Sequence, residues 1–132
     1  MTGLDANVLS RYFAEDDPVQ FMKATEILEQ RITTESPGFI SVVALVELVW
    51  VLRSRYGFQS TELAGVVETL LRADTLVVEQ EQAVYVATRA LKLGLGSFSD
   101  VLIAELGSRA GCKVTLTFDR KAARLDGFEL IA

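Results

Sequence analysis

The chain contains no histidine, one cysteine and two prolines among its 132 residues. Without imidazole there is no Ser-His-Asp or Cys-His catalysis and no histidine-bearing zinc-hydrolase site. The lone thiol, Cys112, can form neither an internal disulfide nor a structural zinc site, and it reads as a small packed residue. Long hydrophobic runs are also missing. The longest, Phe39–Leu52, has 14 residues and carries Glu47 at its middle, short of the roughly 18 to 20 apolar residues of a membrane span. No basic segment precedes the strand-like Thr2-Gly3-Leu4, so no signal peptide is expected and a cytoplasmic location follows. If the protein is an enzyme, carboxylates, hydroxyls, arginine and lysine must carry its chemistry.

What is present is ample apolar material. Half of the residues are hydrophobic, enough for the core of one domain, and residues 1–132 are expected to form a single domain. A mean hydropathy of +0.30 suggests apolar surface covered by a partner, although a deep α/β core raises it too. The net charge of −5 argues at first against nucleic acid. Setting aside the four acids singled out below leaves 14 acids against 13 bases, or −1, so charge neither supports nor excludes such a partner.

The pattern along the chain alternates strands with helices. Residues 2–5 read as a strand leading to a helix near 7–13. Asp17-Pro18 reads as an N-cap followed by proline at the first helical position. Pro37-Gly38 makes a turn into a short strand at 38–41, after which Ser41 caps a long helix ending near Tyr56-Gly57. A helix from Ser60 or Thr61, a strand at 75–78, a helix at 80–93 and a helix from about 100 to 110 follow. A β-rich run at 113–118, a helical turn at 121–125 and a strand at 128–131 complete the chain. This alternation predicts an α/β fold with a parallel sheet covered on both faces.

Four carboxylates stand in apolar surroundings. Asp5 follows Leu4, Glu47 interrupts the Phe39–Leu52 run, Asp100 opens Asp100-Val-Leu-Ile-Ala104, and Asp119 closes Val114-Thr-Leu-Thr-Phe118. Burying a lone ionised acid costs several kcal/mol or more unless it is paired or metal-bound. The predicted element order sets all four at strand ends or near helix starts, where α/β proteins form their ligand crevice. A shared divalent-cation site is the simplest account. Oxygen-only ligands suit Mg²⁺ or Mn²⁺, which activate water and stabilise charge in phosphodiester hydrolysis without histidine. Plainer alternatives stand beside this: a solvated stripe for Glu47, a first-turn helix acid for Asp100, and local caps or Asx turns for Asp5 and Asp119. Asn7, Ser41 and Thr117 are candidate supporting groups, with cap or turn roles as their alternatives.

Five segments in order resemble the PIN-domain ribonucleases, and within them the VapC-type toxins: Leu4-Asp5-Ala6-Asn7-Val8-Leu9; Asp16-Asp17-Pro18; Ile40-Ser41 with Glu47 and Val51-Leu52; Phe98-Ser99-Asp100-Val-Leu-Ile-Ala104; and Leu116-Thr117-Phe118-Asp119-Arg120 with Leu125 and Gly127. Ala6 replaces a common Thr or Ser, which removes one hydroxyl contact and no ligand. The resemblance implies an α/β/α sandwich with a central parallel sheet. It implies a Mg²⁺- or Mn²⁺-dependent endoribonuclease with Asp5, Glu47 and Asp100 as main ligands and Asp119 as a fourth acid, ligating or acting through water. It further implies a homodimer neutralised by a small antitoxin protein. Arg11, Arg120, Lys121 and Arg124 are candidate RNA phosphate contacts, with solvated surface charge as the alternative. Arg53 and Arg55 suit a dimer or antitoxin surface.

Two rival readings differ in class. One is another acidic α/β metal-dependent phosphohydrolase. A haloacid-dehalogenase-type phosphatase wants a second aspartate where Asn7 stands, and a receiver domain wants an acidic pair before its phosphorylated aspartate. The other is a catalytically inactive PIN-like binding module, against which the presence of all four acids argues.

Overall fold

The computed structural model describes every residue, Met1–Ala132, and divides into two compact units, Met1–Gln80 and Glu81–Ala132. The first unit runs β1 (Thr2–Gly3), α1 (Ala6–Ala14), α2 (Pro18–Glu26), β2 (Gly38–Ile40), α3 (Val42–Ser54), α4 (Ser60–Arg72) and β3 (Leu76–Val78). Its strands form a parallel sheet in the order β1-β2-β3, with Gly3 beside Phe39 and Phe39 beside Val77. Gly38 gives room to the leucine side chains of both neighbouring strands' ends at the centre of this sheet. A Cβ there would lie 2.9 Å from both Leu4 Cδ1 and Leu76 Cδ2, closer than packed carbons tolerate.

Each helix of this unit starts where its sequence chemistry says. Asp17 accepts the Gln20 N–H at 3.1 Å and Pro18 occupies the first turn. Ser41 Oγ accepts the Ala44 N–H at 3.1 Å at the head of α3. Glu62 reaches back to the Gln59 N–H at 2.9 Å at the head of α4. Past Glu26 the chain widens into a π-helical turn, Ile27–Arg31, closed by the Ile32 N–H on the Ile27 carbonyl at 2.9 Å. Leu9, Ile40, Leu45, Leu48, Leu52, Leu63 and Val67 are fully buried. At about 0.8 kcal/mol per buried CH₂, side chains of this kind carry most of the driving force.

The second unit comprises α5 (Glu81–Lys92), α6 (Phe98–Arg109), β4 (Thr115–Thr117), a 3₁₀ turn (Ala122–Arg124) and β5 (Phe128–Leu130). The helices α5 and α6 pack on each other. The α5 sequence puts Ala83, Val84, Ala87, Thr88 and Leu91 on one buried stripe. Gly94, at φ +71°, ends that helix, with the Leu95 N–H returning to the Ala90 carbonyl at 2.9 Å. β4 and β5 are parallel, in the register Thr115 beside Phe128 and Thr117 beside Leu130.

The predicted α/β alternation is thus present, with every strand pair parallel and with three strands in one ladder and two in the other. The strands are shorter than expected, two or three residues each. Cys112 is corrected: it is an exposed free thiol following Gly111, not a packed residue. No helix is long and apolar enough to cross a membrane.

Candidate acidic site

The carboxyl end of β1, the carboxyl end of β2 and the first turns of α3 border an open groove of about 450 Å³, lined by Asp5, Phe39, Ser41, Val43, Ala44 and Glu47 among others. Two acids separated by 41 intervening residues therefore face one space. Asp5 gets there by capping α1: its Oδ1 accepts the Val8 N–H at 3.0 Å. Its other oxygen stays free of protein partners. Glu47 sits on α3 and makes no hydrogen bond or ion pair, so its whole carboxylate is available.

The surroundings of these acids correct the expectation of burial. Asp5, Glu47 and Asp119 are exposed and Asp100 is partly so. The reason at Glu47 is specific. Its helical neighbours Val43 and Trp50 are themselves 75% and 66% exposed, so the apolar run of α3 is not buried all round. Leu45, Leu48, Val49 and Leu52 form its inward face. The cost of burying charge therefore does not argue for a shared site here. The geometry at the strand ends does so for Asp5 and Glu47.

α3 is anchored at both ends. At its head, Glu79 Oε1 accepts the Val42 N–H at 2.9 Å, alongside the Ser41 cap. Glu79 is the first residue after β3, and its own N–H bonds the Ile40 carbonyl. Just past the other end, the Tyr56 hydroxyl donates to Asp16 at 2.8 Å, and Arg11 Nη1 donates to both Asp16 oxygens at 3.1 and 3.3 Å and to the Tyr56 oxygen at 3.4 Å. Tyr56 first, and Arg11 after it, hold the Asp16 carboxyl below the usual aspartate range. The same contact with Asp16 pushes the Tyr56 phenol up. Arg11, a candidate phosphate contact, is thus also a partner in this network.

Two smaller depressions share these residues. One of about 380 Å³ is lined by Asp5, Asn7, Arg11, Gln20 and Lys23 among others. The other, of about 80 Å³, is lined by Asn7, Arg11, Glu47, Arg55 and Tyr56 among others. Asn7 faces both. Ser41 is held in its helix cap.

In the second unit, Asp100 lies in the first turn of α6, and its N–H donates to the capping Ser97 Oγ at 3.1 Å. Asp119 follows β4. Its N–H donates to Thr117 Oγ1 at 3.0 Å and its Oδ1 accepts the Lys121 N–H at 2.8 Å. Thr117 is thus a direct support for Asp119, and the local-turn role expected for Asp119 is real. Arg120, Lys121 and Arg124 are exposed. No three acidic or thiol side chains form a ready cation cage. The donors that line the first groove are oxygens, and two carboxylates fit an ion that prefers one or two carboxylates with several waters.

Sequence reasoning missed Glu79 and the Asp16–Tyr56 pair. Glu79 carried a signal, since it ends the β-rich Thr75–Val78 exactly where Asp5 follows β1. Tyr56 carried none, because its partner is 40 residues away.

This is a parallel α/β protein with acids at its strand ends and helix heads. The profile of the PIN domain family matches residues 4–128, and the chain belongs to that family. A VapC ribonuclease of Aquifex aeolicus (strain VF5) is 25% identical over 129 residues, covering 97% of this chain and 93% of that protein. The α/β class with parallel strands expected from the sequence is the one found.

Proposed function

We propose that the protein is a Mg²⁺- or Mn²⁺-dependent endoribonuclease and the toxin of a toxin–antitoxin pair. The observation that carries this reading is the common groove of Asp5 and Glu47 at the strand carboxyl ends, in a chain whose PIN match runs on through Asp100 and Asp119. Similarity along nearly the whole length to a protein named as a ribonuclease supports the substrate class.

In this reading residues 1–132 act as one nuclease domain. Asp5, Glu47 and Asp100 are the ligands, and Asp119 is the fourth acid. A cation held there would supply an activated water and charge stabilisation at the phosphodiester. The chain's own residues do the holding. The α1 cap fixes Asp5, Thr117 fixes the backbone of Asp119, and Ser97 fixes the turn that carries Asp100. Arg120, Lys121 and Arg124 contact RNA phosphates. The protein works in the cytoplasm as a homodimer and is silenced by a small antitoxin.

The test is cleavage of RNA by the purified full chain in Mn²⁺ or Mg²⁺ and after chelation with EDTA. Cleavage that requires the ion, together with growth arrest on expression that co-expression of a cognate antitoxin relieves, is the expected outcome. Cleavage that persists fully in EDTA sinks the metal assignment. Absence of cleavage with either ion sinks the enzyme.

A further inference from the structure

The 80 Å³ depression beside Glu47 has a chemistry that the acidic groove lacks. Its lining includes two arginines, Arg11 and Arg55, with Asn7 and Tyr56. It shares Ala6 and Glu47 with the groove of Asp5, so the two spaces adjoin. Of the three spaces around Asp5 and Glu47 it is the smallest.

The two arginines are not equivalent. Arg11 is compensated by Asp16 and locked by Tyr56, so it forms a fixed wall. Its Nε is buried and has no partner. Arg53, two residues from Arg55, is also engaged, donating to Ser60 Oγ at 2.7 Å. Arg55 is exposed, makes no ion pair and follows the last turn of α3. It is the uncompensated cation at this depression. Guanidinium offers paired donors that match phosphate oxygens.

We propose that this depression is a phosphate subsite for an RNA strand whose scissile bond lies in the adjoining Asp5–Glu47 groove, with Arg55 as the contacting residue and Arg11, held by Asp16 and Tyr56, as its rigid wall. The proposal rests on the ribonuclease reading above. Glu47 borders the same space, so the subsite fills best when a divalent cation offsets the Glu47 charge. Arg55 then sets how tightly the strand is held and leaves the bond-breaking step to the acids.

The test uses the full chain and a fluorescein-labelled single-stranded RNA of mixed sequence, with anisotropy followed across a salt series in Ca²⁺ and cleavage followed in Mn²⁺. Arg55→Ala is expected to weaken binding about tenfold and to lower the slope of log affinity against log salt by about 0.7, the release expected for one phosphate contact on a single strand. It should raise KM and leave kcat unchanged. Arg55→Lys should keep the slope, and Arg55→Gln should repeat the Ala result if Ala impairs folding. Arg72→Ala, at the exposed end of α4, is the control that changes neither quantity. Unchanged affinity and slope in Arg55→Ala overturn the subsite while wild-type cleavage keeps the ribonuclease reading. Wild-type binding with an Arg55-dependent slope but no cleavage keeps the subsite and removes the nuclease. No wild-type binding overturns both. Loss of self-association without loss of RNA affinity overturns the subsite in favour of a protein interface at Arg55.

Discussion

Tyr56, just beyond α3, donates its hydroxyl to Asp16, between α1 and α2, at 2.8 Å. Arg11 of α1 closes the triangle by donating to Asp16 and to the Tyr56 oxygen. Residues that leave α3 are thereby tied to the helix that starts with Asp5. The register of Glu47 against Asp5 rests on this tie at one end of α3 and on Ser41 and Glu79 at the other.

The tie has a defined pH window. Asp16 is held below its ordinary value of 3.8, so its contribution is present above that value and is lost as pH falls through the depressed value in the folded protein. Tyr56 is held above its ordinary value of 10.0, so its contribution is present below that value and is lost as pH rises through the raised one. Tyr56→Phe should therefore lower the urea midpoint at neutral pH. The difference from wild type should shrink in strong acid and in strong alkali. Both residues are solvent-accessible, so the effect at neutral pH is small. A pH-independent difference would assign the loss to packing.

Glu79 is predicted to matter for the head of α3. Its carboxylate meets a free N–H at the positive end of the helix, an arrangement worth about 0.3 to 1 kcal/mol. Glu79→Ala should cost about that much in urea denaturation, and Glu79→Gln should recover part by keeping the hydrogen bond. Equal stability of all three proteins would show that Ser41 alone caps the helix.

The order of elements was legible in the sequence because caps and breakers are local. Asp17-Pro18, Ser41 and the glycine after α5 mark boundaries that the structure respects. Exposure was not legible. In α3 the outward residues Val43 and Trp50 are as apolar as the inward Leu45 and Leu48, so composition hid which face holds Glu47. The Asp16–Tyr56 tie was also hidden, since a contact made by the fold leaves no periodic trace. Asp5 was readable both as a cap and as a site residue, and its geometry lets it be both.

That double role makes Asp5 separable by two substitutions. Asparagine caps a helix about as well as aspartate, whereas alanine loses about 1 kcal/mol. Asp5→Asn should keep the thermal midpoint and lose RNA cleavage by two orders of magnitude or more. Asp5→Ala should lose the same activity and melt several degrees lower. Cleavage by Asp5→Asn at the wild-type rate, with Mn²⁺ present, would remove Asp5 from the site.

Glu47 gives the sharpest contrast between stability and activity. It is exposed and its carboxylate has no protein partner, so nothing in the folded chain depends on its charge. Glu47→Gln should change stability by no more than about 0.5 kcal/mol, as for other surface substitutions away from caps and networks. If Glu47 holds the cation, the same variant should lose cleavage, and its binding of Mn²⁺ by calorimetry should weaken at least tenfold. Because no fold contact is removed, lost activity cannot be ascribed to unfolding. Undiminished Mn²⁺ affinity together with wild-type cleavage would leave Glu47 as a solvated residue of the exposed α3 stripe.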